Sequence, residues 1–216
     1  MPMKPAPSDG KKRKQRDAEA TREAILQVAT EEYARVGLHG ARVEEIASRT
    51  ATSKHMIYYY FGSKEGLYRA VLEKAYADFR SAETAVDYDA MDPVAALEML
   101  IGISFDTHRA NPHVIRIIMS ENLDQGSHLA ADDQTVQRAK VLDITRRILD
   151  RGKQAGMFAD DATPLHLHMS LSALCFHFHS NRYTFGTIFA VDYENPAFVE
   201  ERRAEVIRTL MKRCLK

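Results

Sequence analysis

Residues 42–65, RVEEIASRTATSKHMIYYYFGSKE, decide the fold. They divide into two short helices joined by a tight turn. Ile46 and Ala47 give the first helix an apolar face, and Thr50-Ala51-Thr52 interrupts it. Ser53 is a good N-cap for a second helix starting at Lys54, because its hydroxyl can accept from a backbone N–H left open in the first turn. In that second helix only Met56, Ile57 and Phe61 are obliged to face inward. Lys54, His55, Tyr58, Tyr59 and Tyr60 are left to point out, and three consecutive tyrosines on a short surface helix need a reason. Tyrosine hydroxyls and a lysine at a helix start bind phosphate oxygens and base edges in a DNA groove. The stretch predicts a helix-turn-helix that reads duplex DNA.

The residues that carry a wider likeness are Ser53-Lys54, the Ile57-Tyr58-x-Tyr60-Phe61 run, and Ser63-Lys64-Glu65-Gly66-Leu67. Together they resemble the signature of the TetR family of bacterial one-component repressors. Gly37, Val43 and Ile46-Ala47 fall where that family places its first helix exit and second helix, so the likeness spans roughly residues 18–75. Three positions depart from it. Ala51 stands where the family usually has Gly, Arg42 where it often has Thr, and Thr52 where it usually has Val. An Ala in a left-handed conformation costs about 1–2 kcal/mol, so the turn is expected to be built differently. Arg42 keeps a phosphate contact by charge in place of a hydroxyl.

Composition is compatible with this reading once charge is resolved along the chain. The 216 residues carry 30 basic and 30 acidic side chains. Residues 1–16, however, hold Lys4, Lys11, Lys12, Arg13, Lys14 and Arg16 against the single acid Asp9. Positive charge is thus segregated beside the helix-turn-helix, where it matters for phosphate binding. The same segment, with three prolines and few apolar residues, is expected to be a disordered basic tail. Cys175 and Cys214 are too few for a disulfide framework, which fits a reducing cytoplasm. No 18-residue apolar run or signal peptide is apparent, so no membrane association is expected.

Helical periodicity accounts for the rest, and the expected fold class is all-α. Ile25, Val28, Ala29, Tyr33 and Val36 mark a helix over 17–36 that Gly37 ends. Leu67, Val71, Ala75 and Phe79 mark another over 64–82. Asp92-Pro93, Asn111-Pro112, Thr163-Pro164 and Asn195-Pro196 each place a capping residue before a proline at the first helical position. They predict helices over 93–110, 112–121, 164–185 and 196–214, with one more over 127–154. The expected domains are the tail at 1–16, the DNA-binding domain at 17–63, a connecting helix at 64–82, and a ligand-binding and dimerisation domain at 83–216.

Residues 165–178, LHLHMSLSALCFHF, are apolar on nearly every side, and such a helix must be buried all round. The last helix shows Val199, Val206, Leu210 and Cys214 along one stripe. Pairing both helices with a symmetry mate gives a homodimer through the last two helices, which the TetR resemblance also implies. Two recognition helices about 34–36 Å apart would then read a pseudo-palindrome.

Polar residues also gather here: His108, His113, His166, His168, His177, His179, Asn181, Arg182 and Tyr183. They are read either as core histidines satisfied by neighbours or as the polar groups of a ligand cavity. A metal site is not expected. His166/His168 and His177/His179 lie two residues apart, which turns paired rings about 200° from one another on a helix, and no cofactor motif appears. The ligand candidates are His177, Asn181, Arg182 and Tyr183, with Arg182 able to pair with a carboxylate effector or with Asp192 or Glu194.

The expected function is a homodimeric, ligand-released repressor in the cytoplasm, with double-stranded DNA and a small-molecule effector as partners. Lys54, His55 and Tyr59 would approach base edges, while Arg42, Ser53, Tyr58, Tyr60 and Lys64 would hold phosphates. The rivals are an all-α enzyme or small-molecule carrier, supported by the histidines, and a dimeric scaffold without DNA binding, supported by Ala51. No nucleophile–base pair, metal motif or phosphate loop supports the enzyme.

Overall fold

The structure, a computed structural model, describes the backbone of residues 9–129 and 131–216 and the side chains of residues 16–129 and 142–216. Residues 1–8 of the expected basic tail lie outside the described residues. The chain is all-α, with no strand among the described residues and one isolated bridge between Phe158 and Leu215. In order the helices are α1 (Asp9–Gly40), α2 (Val43–Arg49), α3 (Lys54–Phe61), α4 (Lys64–Thr84), α5 (Pro93–Ala110), α6 (Pro112–Leu123), α7 (Ala131–Gln154), α8 (Pro164–Ser180), α9 (Arg182–Phe189) and α10 (Pro196–Cys214). A 3-10 turn at Tyr88–Ala90 precedes α5. The chain forms two compact units, one ending at Leu72 and the other spanning Glu73–Lys216, so both draw residues from α4.

In the first unit, Ile25, Ala29, Tyr33, Leu38, Val43, Ile46, Ile57, Leu67, Tyr68 and Val71 are buried together. Tyr33 is inside this core, and its hydroxyl donates to the Lys64 carbonyl at 2.9 Å. Its ring meets Tyr68 edge-on at 5.0 Å. That one bond ties α1 to the first turn of α4. Gly37 sits at φ 70°, ψ 177°, which breaks the helical path within α1 as the sequence anticipates. The start of α1 differs: the helix already runs at Asp9, eight residues before the expected Asp17.

The turn between α2 and α3 keeps its left-handed residue, contrary to the expectation from Ala51. Ala51 adopts φ 50°. The Thr52 N–H then reaches back to the Ala47 carbonyl at 3.2 Å, closing the six-residue bond that terminates a helix in this way. The strain of one alanine is outweighed by satisfying that carbonyl and by aiming α3.

In the second unit α5 packs against α7, α8 and α10. Leu97, Ile101, Phe105, Ile148, Leu149, Phe158, Leu171, Cys175, Val206 and Leu210 form its core. Each of the four predicted prolines does stand first in its helix. The preceding residues differ in chemistry. Asp92 and Asn195 accept backbone N–H groups at 2.9 Å, whereas Asn111 and Thr163 make no side-chain cap.

Two expectations for this unit are corrected. The helix predicted over 164–185 ends at Ser180, and α9 starts afresh at Arg182. Asn181 intervenes, its side-chain amide donating to Ser180 Oγ at 2.8 Å and to the His177 carbonyl at 3.4 Å; such local bonds compete with a continuing helix. The stripe Val199, Val206, Leu210 and Cys214 is consumed by the chain's own core, so it is not an open dimer face. On α8, by contrast, Leu167, Leu171, Cys175 and Phe178 turn inward while Leu165 and Met169 are more than half exposed. That helix is not buried all round within one chain.

Replacing Ala51 with Gly should remove the left-handed penalty of about 1–2 kcal/mol against a glycine entropy cost of about 0.5–1 kcal/mol. The expected outcome is a net stabilisation of about 0.5–1 kcal/mol, read from the urea midpoint at unchanged slope.

Candidate nucleic-acid interface

The presentation of α3 follows from its two ends and one anchor. Ser53 Oγ accepts from the Met56 N–H at 3.1 Å, which fixes the start. At the other end Gly62 takes φ 76° and its N–H bonds to the Tyr58 carbonyl at 2.8 Å. Ile57 is the one fully buried side chain of the helix. The expectation that Met56 and Phe61 also face inward is met only by half, since both remain partly exposed. Ser63 caps α4 in turn, accepting from the Gly66 N–H at 3.0 Å. Gly66 is required there, because a Cβ would stand 2.0 Å from the Phe61 carbonyl oxygen.

The eight sequence-predicted interface residues all lie in the first unit. Arg42, Ser53, Lys54, His55 and Tyr59 are exposed, Tyr59 to 74%. Tyr58, Tyr60 and Lys64 are partly buried. Tyr59 and Tyr60 meet edge-on at 5.5 Å. Ser53 spends its oxygen on the cap but keeps its O–H to donate. Lys64 Nζ donates to the His39 carbonyl at 3.3 Å, so it is held at the start of α4, where helix-terminal N–H groups favour an anion.

One partner was not read from the sequence. Lys54 is ion-paired with Glu44 of α2 and lies 5.7 Å from the centre of the Tyr58 ring. The bond to Glu44 raises the lysine above its ordinary pKa and lowers the carboxylate below its own. Glu44 is thus an internal counter-ion of Lys54. It belongs to the acidic first turn of α2, a signal present in the sequence that the register of two helices was needed to interpret.

The four ligand candidates are not brought together. His177 and Tyr183 are exposed, and the His177 ring meets Phe185 at 5.5 Å. Asn181 is engaged at the helix break. Arg182 donates to the Tyr183 hydroxyl at 2.8 Å rather than to Asp192 or Glu194, and it alone of the four lines a described cavity.

A different pocket, of about 300 Å³, is walled by Tyr76, Phe79, Arg80, His108, Ile118, Asn122, Ser172, Ala173 and Phe176. Behind it runs a polar network. Buried Glu83 accepts from Ser104 Oγ and pairs with Arg80 at 3.3 Å. Arg80 Nη2 approaches His168 Nε2 at 3.5 Å. His108 Nδ1–H donates to the Ser104 carbonyl at 2.6 Å, and its ring meets Phe79 at 4.4 Å. Burial pushes both His108 and His168 down to about 4, so both rings are neutral at neutral pH. The sequence held one overlooked signal: Glu83 continues the stripe Leu67, Val71, Ala75, Phe79, placing a carboxylate where a hydrophobe belongs.

Neither His166/His168 nor His177/His179 appears in a metal-type cluster among the described residues. Glu121, Asp124 and His128 do bring ligand atoms within 4.8 Å of one another. The Glu121 carboxylate is occupied by the loop, accepting from the His128 backbone at 2.7 Å and lying 3.1 Å from its Nδ1. Among the described residues no helix is long and apolar enough to cross a membrane.

Comparison with known proteins agrees with this geometry. Residues 25–71 match the family described as bacterial regulatory proteins, tetR family, and residues 93–210 match the tetracyclin repressor-like C-terminal domain. The chain is 36% identical over 177 residues to the HTH-type transcriptional repressor NicS of Pseudomonas putida, covering 81% of this chain and 83% of that one. It is 30% identical to the HTH-type transcriptional regulator RutR of Escherichia coli, over 77% of each. The crystal structure of SCO4942 from Streptomyces coelicolor superimposes with a TM-score of 0.69 at 27% identity, over 90% of this chain and 98% of that one.

Replacing Glu44 with Gln should free Lys54 and tighten operator binding a few-fold at low salt, the gain shrinking as salt is added. Fluorescence anisotropy across a salt series checks it; weaker binding would show Glu44 to be part of the docking surface.

Proposed function

Because the chain belongs to the tetR family of bacterial regulatory proteins, we propose that α3 enters the major groove of a pseudo-palindromic operator and that a small molecule releases it. The chain is a DNA-binding transcriptional regulator of the repressor type and not an enzyme. The observation that carries the proposed interface is the composition of α3, which is held by one buried isoleucine and otherwise shows a lysine, a histidine and tyrosines to solvent.

Lys54, His55 and Tyr59 approach base edges, being the exposed groups on α3. Arg42, Ser53, Tyr58, Tyr60 and Lys64 hold phosphates on either side. Two copies act together, because one eight-residue helix reads too few base pairs to find an operator. The proposed dimer runs through the last long helices, α8 and α10. Its apolar contact comes from the open side of α8, Leu165 and Met169, with α9 adding Ile188 and Phe189. Large apolar side chains left this exposed are the material of an interface. The cytoplasm is the proposed compartment, since operators and reduced buried cysteines both belong there.

The pocket beside Arg80 is the proposed inducer site. Tyr76, Phe79 and Arg80 come from α4, the same helix that begins with Lys64. A ligand that favours one placement of these residues over another shifts the population of DNA-competent protein by its difference in affinity, and by no more.

Mobility shift on the protein's own upstream region tests the interface. Lys64→Ala should weaken binding to all sequences and lower the salt slope by about 1. His55→Ala should instead relax preference at one base position, by about 1–3 kcal/mol. Identical behaviour of the two variants across sequences would sink the division of labour.

The dimer has its own check. Met169→Asp places a charge on an already exposed site, so folding is retained while association is lost. Sedimentation should show a monomer, and operator affinity should fall about a hundredfold; an unchanged dimer would move the interface elsewhere.

A further inference from the structure

The second unit contains a larger cavity, of about 560 Å³, that the reading above does not use. Asp106, Arg109 and Ala110 at the end of α5 line it, together with Phe178 and His179 at the end of α8, Arg182 opening α9, and Tyr193 and Glu194 before α10. We propose that this cavity is a second small-molecule site, separate from the pocket beside Arg80, which takes a carboxylate carried on a flat apolar body.

The first observation is an orphaned polar atom. His179 is 8% exposed, and its Nε2 has no hydrogen-bond partner. Folded proteins leave few such atoms, and each one calls for an explanation. Burial, with His108, Arg182 and Arg109 contributing, pushes the ring down to about 4. The imidazole is therefore neutral at neutral pH and brings no charge to the wall it lines.

The second observation is the charge on the walls. Arg109 and Arg182 form no ion pair among the described residues, and the Arg182 guanidinium lies 4.7 Å over the Tyr183 ring. Of the two acids, Asp106 is neutralised by a two-pronged contact from Arg203 at 3.0 Å. Glu194, exposed, is the other. Two guanidinium groups against one open carboxylate favour an anion, and the planar fork of arginine matches a carboxylate with two parallel bonds.

The third observation is the apolar wall. Phe178 and Tyr193 lie 4.7 Å apart, tilted by 35°, and Phe178 packs on Phe105 behind. A flat hydrocarbon body can cover these rings while its carboxylate meets arginine. Phosphate would meet the arginines and leave the aromatic wall unused. A cavity of this size suits a ligand of one or two rings.

Calorimetry of the full chain with benzoate, acetate and inorganic phosphate tests the site. Benzoate should bind saturably, at least about tenfold tighter than acetate or phosphate. Arg182→Met and Arg109→Gln should each weaken it by about tenfold or more, while Arg80→Met should leave it unchanged. His179→Phe should lose benzoate affinity and yet raise Tm by about 2–4 °C, since an apolar ring replaces an unsatisfied nitrogen. Tighter phosphate than benzoate, loss of benzoate binding in Arg80→Met but not in Arg182→Met, or no saturable heat up to about 10 mM would each overturn the proposal. Operator binding of the same preparations is read independently, so failure of this site leaves the DNA-reading proposal standing, and the reverse.

Discussion

An eight-residue helix has no business being stable in water, and everything this protein does to DNA hangs on stabilising one without covering it. The solution places the stabilising contacts at the helix ends and at a single inward residue. Ser53 closes one end, Gly62 the other, and Ile57 is fully buried. The left-handed turn at Ala51 belongs to the same design, because it satisfies the Ala47 carbonyl while redirecting the chain by the angle that separates α2 from α3. What remains outside is a row of donors and one exposed ring.

The second unit follows the opposite logic. Its core is large and apolar, and polar groups enter it only in small, specific sets. Glu83, Arg80, Ser104, His108 and His168 form one such set, in which neutral rings and a paired carboxylate are held behind a pocket wall. Buried charge pairs of this kind are poor sources of stability, since desolvation offsets their attraction. Under the proposed inducer site, their value would be that a bound small molecule can rearrange them. Arg80 stands two turns of helix beyond the part of α4 that belongs to the first unit, and both units draw residues from that one helix.

How far the sequence could be read depended on whether the signal was local. Helix starts were visible because a capping residue before proline is a statement about two adjacent residues, and all four such starts are present. The break at Asn181 was missed because an apolar run continues through it, and only the competing side-chain bonds reveal it. The stripe on α10 was visible as a stripe, but periodicity cannot say which neighbour it meets; it meets α5 and α8 of its own chain. For the ligand candidates, clustering along the chain does not carry over into one cavity. His177 and Tyr183 point out, while Arg182 finds companions from α5 and from the loop before α10.

By itself the order of residues determined that the chain is helical, where most helices begin, and which short segment would be left showing donors to solvent. These follow from backbone capping and from a period of 3.6, both set within a few neighbouring positions. Only tertiary structure decided that Lys54 is claimed by Glu44, that Glu83 lies beneath Arg80 and Ser104, and that His179 keeps a nitrogen without a partner. Those facts depend on which faces of distant helices meet, and long-range packing is settled by the burial of the whole core rather than by any local preference.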